Sequence, residues 1–278
     1  MEQVLFIVWR ESVEALLVVG ILYAWLGRSP QGRRGLPWLW GGVAAGVCLA
    51  VLLALVLLGL ASWLDDSGQE WFQAIMSLIA CALVVQMVVW MRRHGRRLRQ
   101  DLQQGVSDQL GQGRQWGVLV LAMIAVAREG SETVVFLYGA LSVVPAGQNI
   151  GALVWAALGG FFAALLTFMA LQWGGRIITW RRFFAFTEWL LLMLGAALLI
   201  SATDRLISLG ALPALVDPVW DSSWLLGTDS GLGKLLADFA GYRDFPALSQ
   251  VLIYVGYVAL LFYFLRAPRS VTTLKAAS

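Results

Sequence analysis

Seven predominantly apolar stretches, at roughly 4–26, 37–60, 71–91, 116–139, 149–172, 184–202 and 249–266, alternate with short polar connections along the chain. Each has the length, about 18 residues or more, that a helix rising 1.5 Å per residue needs to cross the hydrocarbon of a bilayer. The composition agrees: of 278 residues 59% are hydrophobic and 13% charged, and the mean hydropathy is +0.75. Soluble domains run at about 45–50% apolar and about 25% charged. There is too little polar surface here to cover a globule in water, so the chain reads as an all-α integral membrane protein. The first stretch is expected to be a retained helix rather than a secretory signal, since it opens Met1-Glu2-Gln3 without a basic segment and places Arg10, Glu11 and Glu14 inside the apolar run.

The basic residues set the expected orientation. One set of alternate connections holds Arg28, Arg33 and Arg34, then Arg92, Arg93, Arg96, Arg97, Arg99 and Arg114, then Arg176, Arg181 and Arg182, and finally Arg266, Arg269 and Lys275. The opposite set holds only Arg205, Lys234 and Arg243. The positive-inside rule puts the first set in the cytoplasm, with the N-terminus outside and the C-terminus inside. The pI near 9.1 is thus a topology signal, and no nucleic-acid partner is expected. The outer connections lean acidic, with Asp217, Asp221 and Asp229 in the long segment 203–248, and such a surface attracts cations. Cys48 and Cys81 both lie in apolar runs and leave no disulfide framework or thiolate cluster.

The most expensive residues repeat. Arg10-Glu11-Ser12-Val13-Glu14 in the first stretch recurs as Arg128-Glu129-Gly130-Ser131-Glu132 in the fourth, 118 residues later. The same offset carries Gly41-Gly42 onto Gly159-Gly160 and Glu70-Trp71 onto Glu188-Trp189. Three spans per unit is an odd number, so the expectation is a 3+3 inverted repeat plus a seventh helix, with a substrate site where the halves meet. The corresponding division is 1–115 for the first repeat with its basic cytoplasmic loop, 116–202 for the second, 203–248 for an outer segment with short helical pieces, and 249–278 for the seventh helix and tail.

Six charges near helix centres would cost on the order of 15–20 kcal/mol if left unpaired, from about 2.5–3.5 each. A simple accommodation pairs each arginine with the glutamate four residues on, as a buried network. That leaves the second carboxylate of each motif in excess. Four glutamates and two arginines sum to minus two, which suits a small multivalent cation or protons, and an all-oxygen donor set favours hard metals over copper or zinc. His94 falls in the basic loop and reads as solvated, while Met87 and Met91, four apart, read as packing.

Paired Arg-Glu-x-x-Glu motifs in the first and fourth of seven spans resemble the high-affinity iron permease family, fungal and bacterial. The resemblance implies an iron importer of the plasma membrane, here the bacterial inner membrane, and not an enzyme. It further implies ferric ion supplied by a partner ferroxidase or iron-binding protein outside, with iron as cargo and no permanent cofactor. The implied ligands are Glu11, Glu14, Glu129 and Glu132, with Arg10 and Arg128 balancing charge. Glu70 and Glu188, at opposite ends of their helices by the repeat, are expected to be outer and inner way stations for the ion. Alternatives are a divalent-metal or proton-coupled transporter using the same glutamates and, from another class, a seven-helix receptor, which would explain neither the repeat nor the doubled motif.

Overall fold

The computed structural model describes residues 1–27, 30–94, 116–141, 150–173, 180–228 and 231–266. In chain order they form α1 (Glu2–Leu26), α2 (Pro30–Arg33), α3 (Leu36–Trp63), α4 (Asp66–His94), α5 (Trp116–Leu141), α6 (Ile150–Trp173), α7 (Trp180–Ser208), α8 (Ser223–Leu226), α9 (Gly231–Ala240) and α10 (Leu248–Arg266). No strand occurs among the described residues. Among the described residues the long helices α1, α3, α4, α5, α6, α7 and α10 lie on the seven apolar stretches. The local reasons are ordinary ones. Pro37 sits in the first turn of α3, where a missing N–H costs nothing. The carboxylate of Asp65 accepts the Gly68 N–H at 2.9 Å and so caps the start of α4.

Among the described residues five helices, α3, α4, α6, α7 and α10, are long and apolar enough to cross a membrane. The remaining two long ones, α1 and α5, have 25 and 26 residues and carry the doubled charged motif in their interiors. Alternating directions follow from who touches whom. Phe6 and Ile7 of α1 share a core with Phe136 and Ala140 of α5, while Leu22 and Leu26 share another with Val118 and Ala122. Those two motif helices are therefore antiparallel. The α4 and α7 pair is antiparallel too, since Ser208 reaches Glu70 at one end and Arg92 pairs with Glu188 at the other. With Val84, Val88, Leu191, Leu194 and Leu198, these four helices build the main apolar core. The flanking α3 and α6 turn most of their surface outward, which fits a lipid solvent.

Each motif helix is clasped by the second helix of the other half: α5 runs along α3 and α1 along α6. Backbone approach is close there, as expected where lipid supplies no hydrophobic drive and small residues let helices nest. A Cβ on Gly46 would stand 2.8 Å from the Cβ of Val126 and 3.0 Å from both Met123 O and Ala127 N. On Gly160 it would stand 2.6 Å from Leu5 O and 3.1 Å from both Trp9 N and Val8 Cβ. Leu5, Val8 and Trp9 are the counterparts of Met123, Val126 and Ala127 at the 118-residue offset. The structural partner of Gly160 is therefore Gly46, 114 residues earlier, and not Gly42. The two contact sets correspond, with the second helices slipped by one turn relative to the gapless sequence match.

This geometry separates neighbouring glycines that look alike in the sequence. A Cβ on Gly42 would fall 2.4 Å from Leu119 O and 2.8 Å from Ala122 Cβ, whereas one on Gly41 meets only Leu119 Cδ1 at 3.5 Å. Gly159 likewise has only a 3.9 Å neighbour. Gly42→Ala and Gly160→Ala are expected to destabilise by about 1–3 kcal/mol through overpacking, and Gly41→Ala and Gly159→Ala to be neutral or better. Thermal unfolding of the four variants in detergent checks this; equal midpoints for Gly41→Ala and Gly42→Ala, or for Gly159→Ala and Gly160→Ala, would contradict it.

The segment 203–248 does contain short helices, α8 and α9, but it does not sit wholly above the bundle. Gly241, at φ +70°, lies against Ala196 and Ala197 of α7, so close that a Cβ would be 3.0 Å from Ala197 Cα. Ala197 is eleven residues, about 16 Å, before the last residue of α7. The segment therefore folds down beside α7, where Phe239 packs on Phe6 and the Gln3 side chain donates to Asp238 O. Asp238 is half buried near Glu2, and both effects push its carboxyl above the ordinary range.

Candidate metal centre

Antiparallel crossing of α1 and α5 brings the two motifs face to face. Arg10, 1% exposed, is the hub: its Nη1 donates to Glu11 Oε1 at 2.5 Å and its Nη2 stands 2.5 Å from Glu14 Oε1, an ion contact without hydrogen-bond alignment. The i, i+4 pairing expected within each motif is present, and Arg128 Nε donates to Glu132 Oε1 at 3.0 Å. The first motif departs from the expectation of one spare carboxylate, because Arg10 engages both of its glutamates. Glu129 is the carboxylate left over.

Glu11, Glu14 and Glu129 each present an oxygen within 4.8 Å of the other two, a spacing that one metal ion could bridge. Glu132, the fourth predicted ligand, is held by Arg128 but stands close enough to repel Glu11 and Glu14 electrostatically. Several buried polar atoms in this cluster have no hydrogen-bond partner among the described residues: Glu11 Oε2, Glu129 Oε2, Glu132 Oε2 and Arg10 Nε. Orphaned buried groups of this kind are costly and call for an explanation, commonly an ion or water. Like-charged carboxylates this close in low dielectric repel by several kcal/mol even at an effective ε near 20. A cation or protons would relieve that repulsion.

Two residues of α4 complete the surroundings, and the sequence reading assigned a site role to neither. Arg10 Nη2 donates to Met87 Sδ at 3.3 Å, and the Arg128 guanidinium lies 4.7 Å over the Trp90 ring. The spacing of Met87 and Trp90, i and i+3, puts them on one face of α4 and could have hinted at this. Nothing in the sequence says which helix face meets the motifs.

The flanking acids are both engaged. Glu188 is buried and paired with Arg92 across α4 and α7. Glu70, at the other end of that helix pair, accepts from Ser208 Oγ at 3.3 Å and attracts Arg205. Two arginine–glutamate attractions thus mark the two ends of α4 and α7. In the segment 203–248 Asp217 and Asp221 are exposed. Asp221 accepts both the N–H and the hydroxyl of Ser223, at 2.9 and 2.7 Å, which holds its carboxyl below the ordinary range. Asp229, the basic loop 95–115, the side chain of His94 and the tail 267–278 lie outside the described residues.

Residues 1–274 match the family described as iron permease FTR1. The chain is 32% identical over 270 residues to a protein named ferrous iron permease EfeU in Yersinia pestis, covering 95% of this chain and 93% of that one. It is 31% identical over 274 residues to proteins of the same name in Escherichia coli O6:H1 strain CFT073 and in Shigella sonnei strain Ss046, covering 96% of each chain. No solved structure matches the chain. An integral membrane protein with the motif residues assembled between its halves, and matched to these relatives over nearly its whole length, belongs to the iron permease FTR1 family.

Proposed function

We propose that the chain imports iron across the bacterial inner membrane, through a site made of Glu11, Glu14, Glu129 and Glu132 with Arg10 and Arg128 as counter-charges. The single observation that carries this reading is the meeting of Glu11, Glu14 and Glu129 within 4.8 Å, with buried oxygens that nothing else satisfies. All seven long helices cross the bilayer in this reading. The N-terminus lies outside and the C-terminus inside in this reading, which the distribution of loop cations supports. In the ion-free state Arg10 and Arg128 lower the cost of keeping four carboxylates in lipid. An arriving cation replaces those pairings, and relative movement of the two inverted halves passes it inward. An inside-negative potential adds about 2.3 kcal/mol per unit charge per 100 mV.

Oxidation state separates two readings. The all-oxygen donor set suits ferric ion handed over by a ferroxidase outside. The ferrous reading is favoured by the names of the relatives and by the sulfur of Met87 beside Arg10. Receptor function gains no support from any residue contact.

Uptake of radiolabelled iron by cells expressing the native chain and Glu11→Gln, Glu14→Gln and Glu132→Gln, with protein levels matched, tests the proposal. Each substitution is expected to lower uptake about tenfold or more, and native rates in all three would overturn it. Glu70 and Glu188 serve as way stations in this scheme, each released from its arginine when its side opens. Glu188→Gln is therefore expected to slow uptake, and an unaltered rate would remove that role.

A further inference from the structure

The guanidinium of Arg10 is itself a cation held among the carboxylates of the centre, and its partners show which donors lie within reach of a positive charge there. Two of them are carboxylate oxygens, Glu11 Oε1 and Glu14 Oε1, each at 2.5 Å. A third is the thioether of Met87, 3.3 Å from the nitrogen that also touches Glu14. Met87 is 4% exposed and comes from α4, so its sulfur is desolvated and contributed from outside both motifs. A thioether is a poor hydrogen-bond acceptor for a buried guanidinium, yet a serviceable ligand for a borderline or soft metal ion.

We propose that Met87 is a ligand of the transported ion and a determinant of its selectivity, so that the centre takes ferrous iron in preference to harder divalent cations. The inference rests on the carboxylate centre proposed above and adds a soft donor to it. Charge supports the same ion. Four glutamates and two arginines sum to minus two, which a divalent ion neutralises and a ferric ion would exceed. Neutralising a cluster within lipid is worth more than overshooting it, because the net charge left behind carries the desolvation cost. Once Arg10 yields its place, Glu14 and Met87 remain on either side of the vacated position. Calcium and magnesium gain nothing from sulfur, whereas ferrous iron does, and cadmium gains most.

The test uses the full-length protein in liposomes, with ferrous iron kept reduced by ascorbate under anaerobic conditions. Cadmium and manganese serve as competing soft and hard cations. Met87→Leu keeps the volume and removes the sulfur. It is expected to raise the KM for ferrous iron about tenfold and to weaken competition by cadmium by a similar factor, while manganese competes within about twofold of native. Met87→Cys, which restores a sulfur donor, is expected to recover cadmium competition. Loss of iron, cadmium and manganese handling in equal proportion would show a packing role and overturn the proposal, as would native selectivity in Met87→Leu. X-ray absorption of cadmium bound to the native protein needs no variant: a sulfur scatterer in the first shell is expected, and an oxygen-only shell would overturn the proposal. Glu129→Gln separates the two levels of the argument. If it transports normally, the carboxylate centre itself is wrong, whereas a dead Glu129→Gln beside an unselective Met87 effect removes only the thioether ligand.

Discussion

Glu129→Gln is expected to reduce iron uptake by about two orders of magnitude or more while the protein accumulates and melts as the native chain does. Loss of residues that merely orient metal ligands costs about 10–100-fold in affinity, and a direct ligand should cost at least that much. The choice of Glu129 follows from its lack of an arginine. Removing any of the other three motif carboxylates also breaks an ion pair, so folding and transport change together. Glu129 makes no close ion pair among the described residues, and in the ion-free centre its repulsion by Glu14, Glu11 and Glu132 outweighs its attraction to Arg128. Its neutral amide removes a buried charge and leaves Arg128 on Glu132. A thermal midpoint equal to or above native, with uptake abolished, is the combined signature. A midpoint several degrees lower would mean that Glu129 has a structural partner, and the loss of uptake would then carry no information about ligation.

Arg10→Met is expected to do the reverse and act first on stability. The guanidinium is buried against two carboxylates, and breaking a buried ion pair by removing one partner costs about 3–5 kcal/mol. Against a typical total of about 5–15 kcal/mol, that is enough to empty the folded state in a sensitive protein. Membrane levels of Arg10→Met are therefore expected to fall severalfold. The double variant Arg10→Met with Glu11→Gln, which takes away one of the stranded charges, is expected to recover part of the loss. Arg128→Met should be milder, since Arg128 is half exposed, makes a single i, i+4 pair and rests on Trp90. Equal losses from the two arginine variants would contradict the view that Arg10 is the hub.

Much of this was legible from residues alone, for identifiable reasons. Long apolar runs report themselves because lipid leaves a helix no other way to satisfy its backbone. The doubled motif reports itself because charges in such runs are too costly to be casual. Pairing within each motif follows from helical spacing, which is why the Arg10–Glu14 and Arg128–Glu132 contacts could be anticipated. What escaped was everything set by how one helix slides against another. The one-turn slip that matches Gly160 to Gly46 depends on the connections between helices, where a gapless repeat has no say. Met87 looked like core because periodicity cannot tell a thioether facing leucine from one facing a guanidinium. The descent of α9 beside α7 was hidden for a similar reason: a ten-residue amphipathic helix in a polar segment has no length signal of its own. The pairing of Arg92 with Glu188 joins residues 96 positions apart, although the matched positions of Glu70 and Glu188 had already singled out the acid.

The central claim is that acids from both halves of the repeat hold one ion. Equilibrium dialysis of radiolabelled iron against the purified protein, comparing the native chain with Glu14→Gln from the first half and Glu129→Gln from the second, measures this without transport. The account predicts saturable binding to the native chain and an affinity weakened about 100-fold or more in each single variant, since each half supplies part of one coordination shell. Native affinity in either variant would mean that one half binds iron by itself, and that the shared centre does not exist.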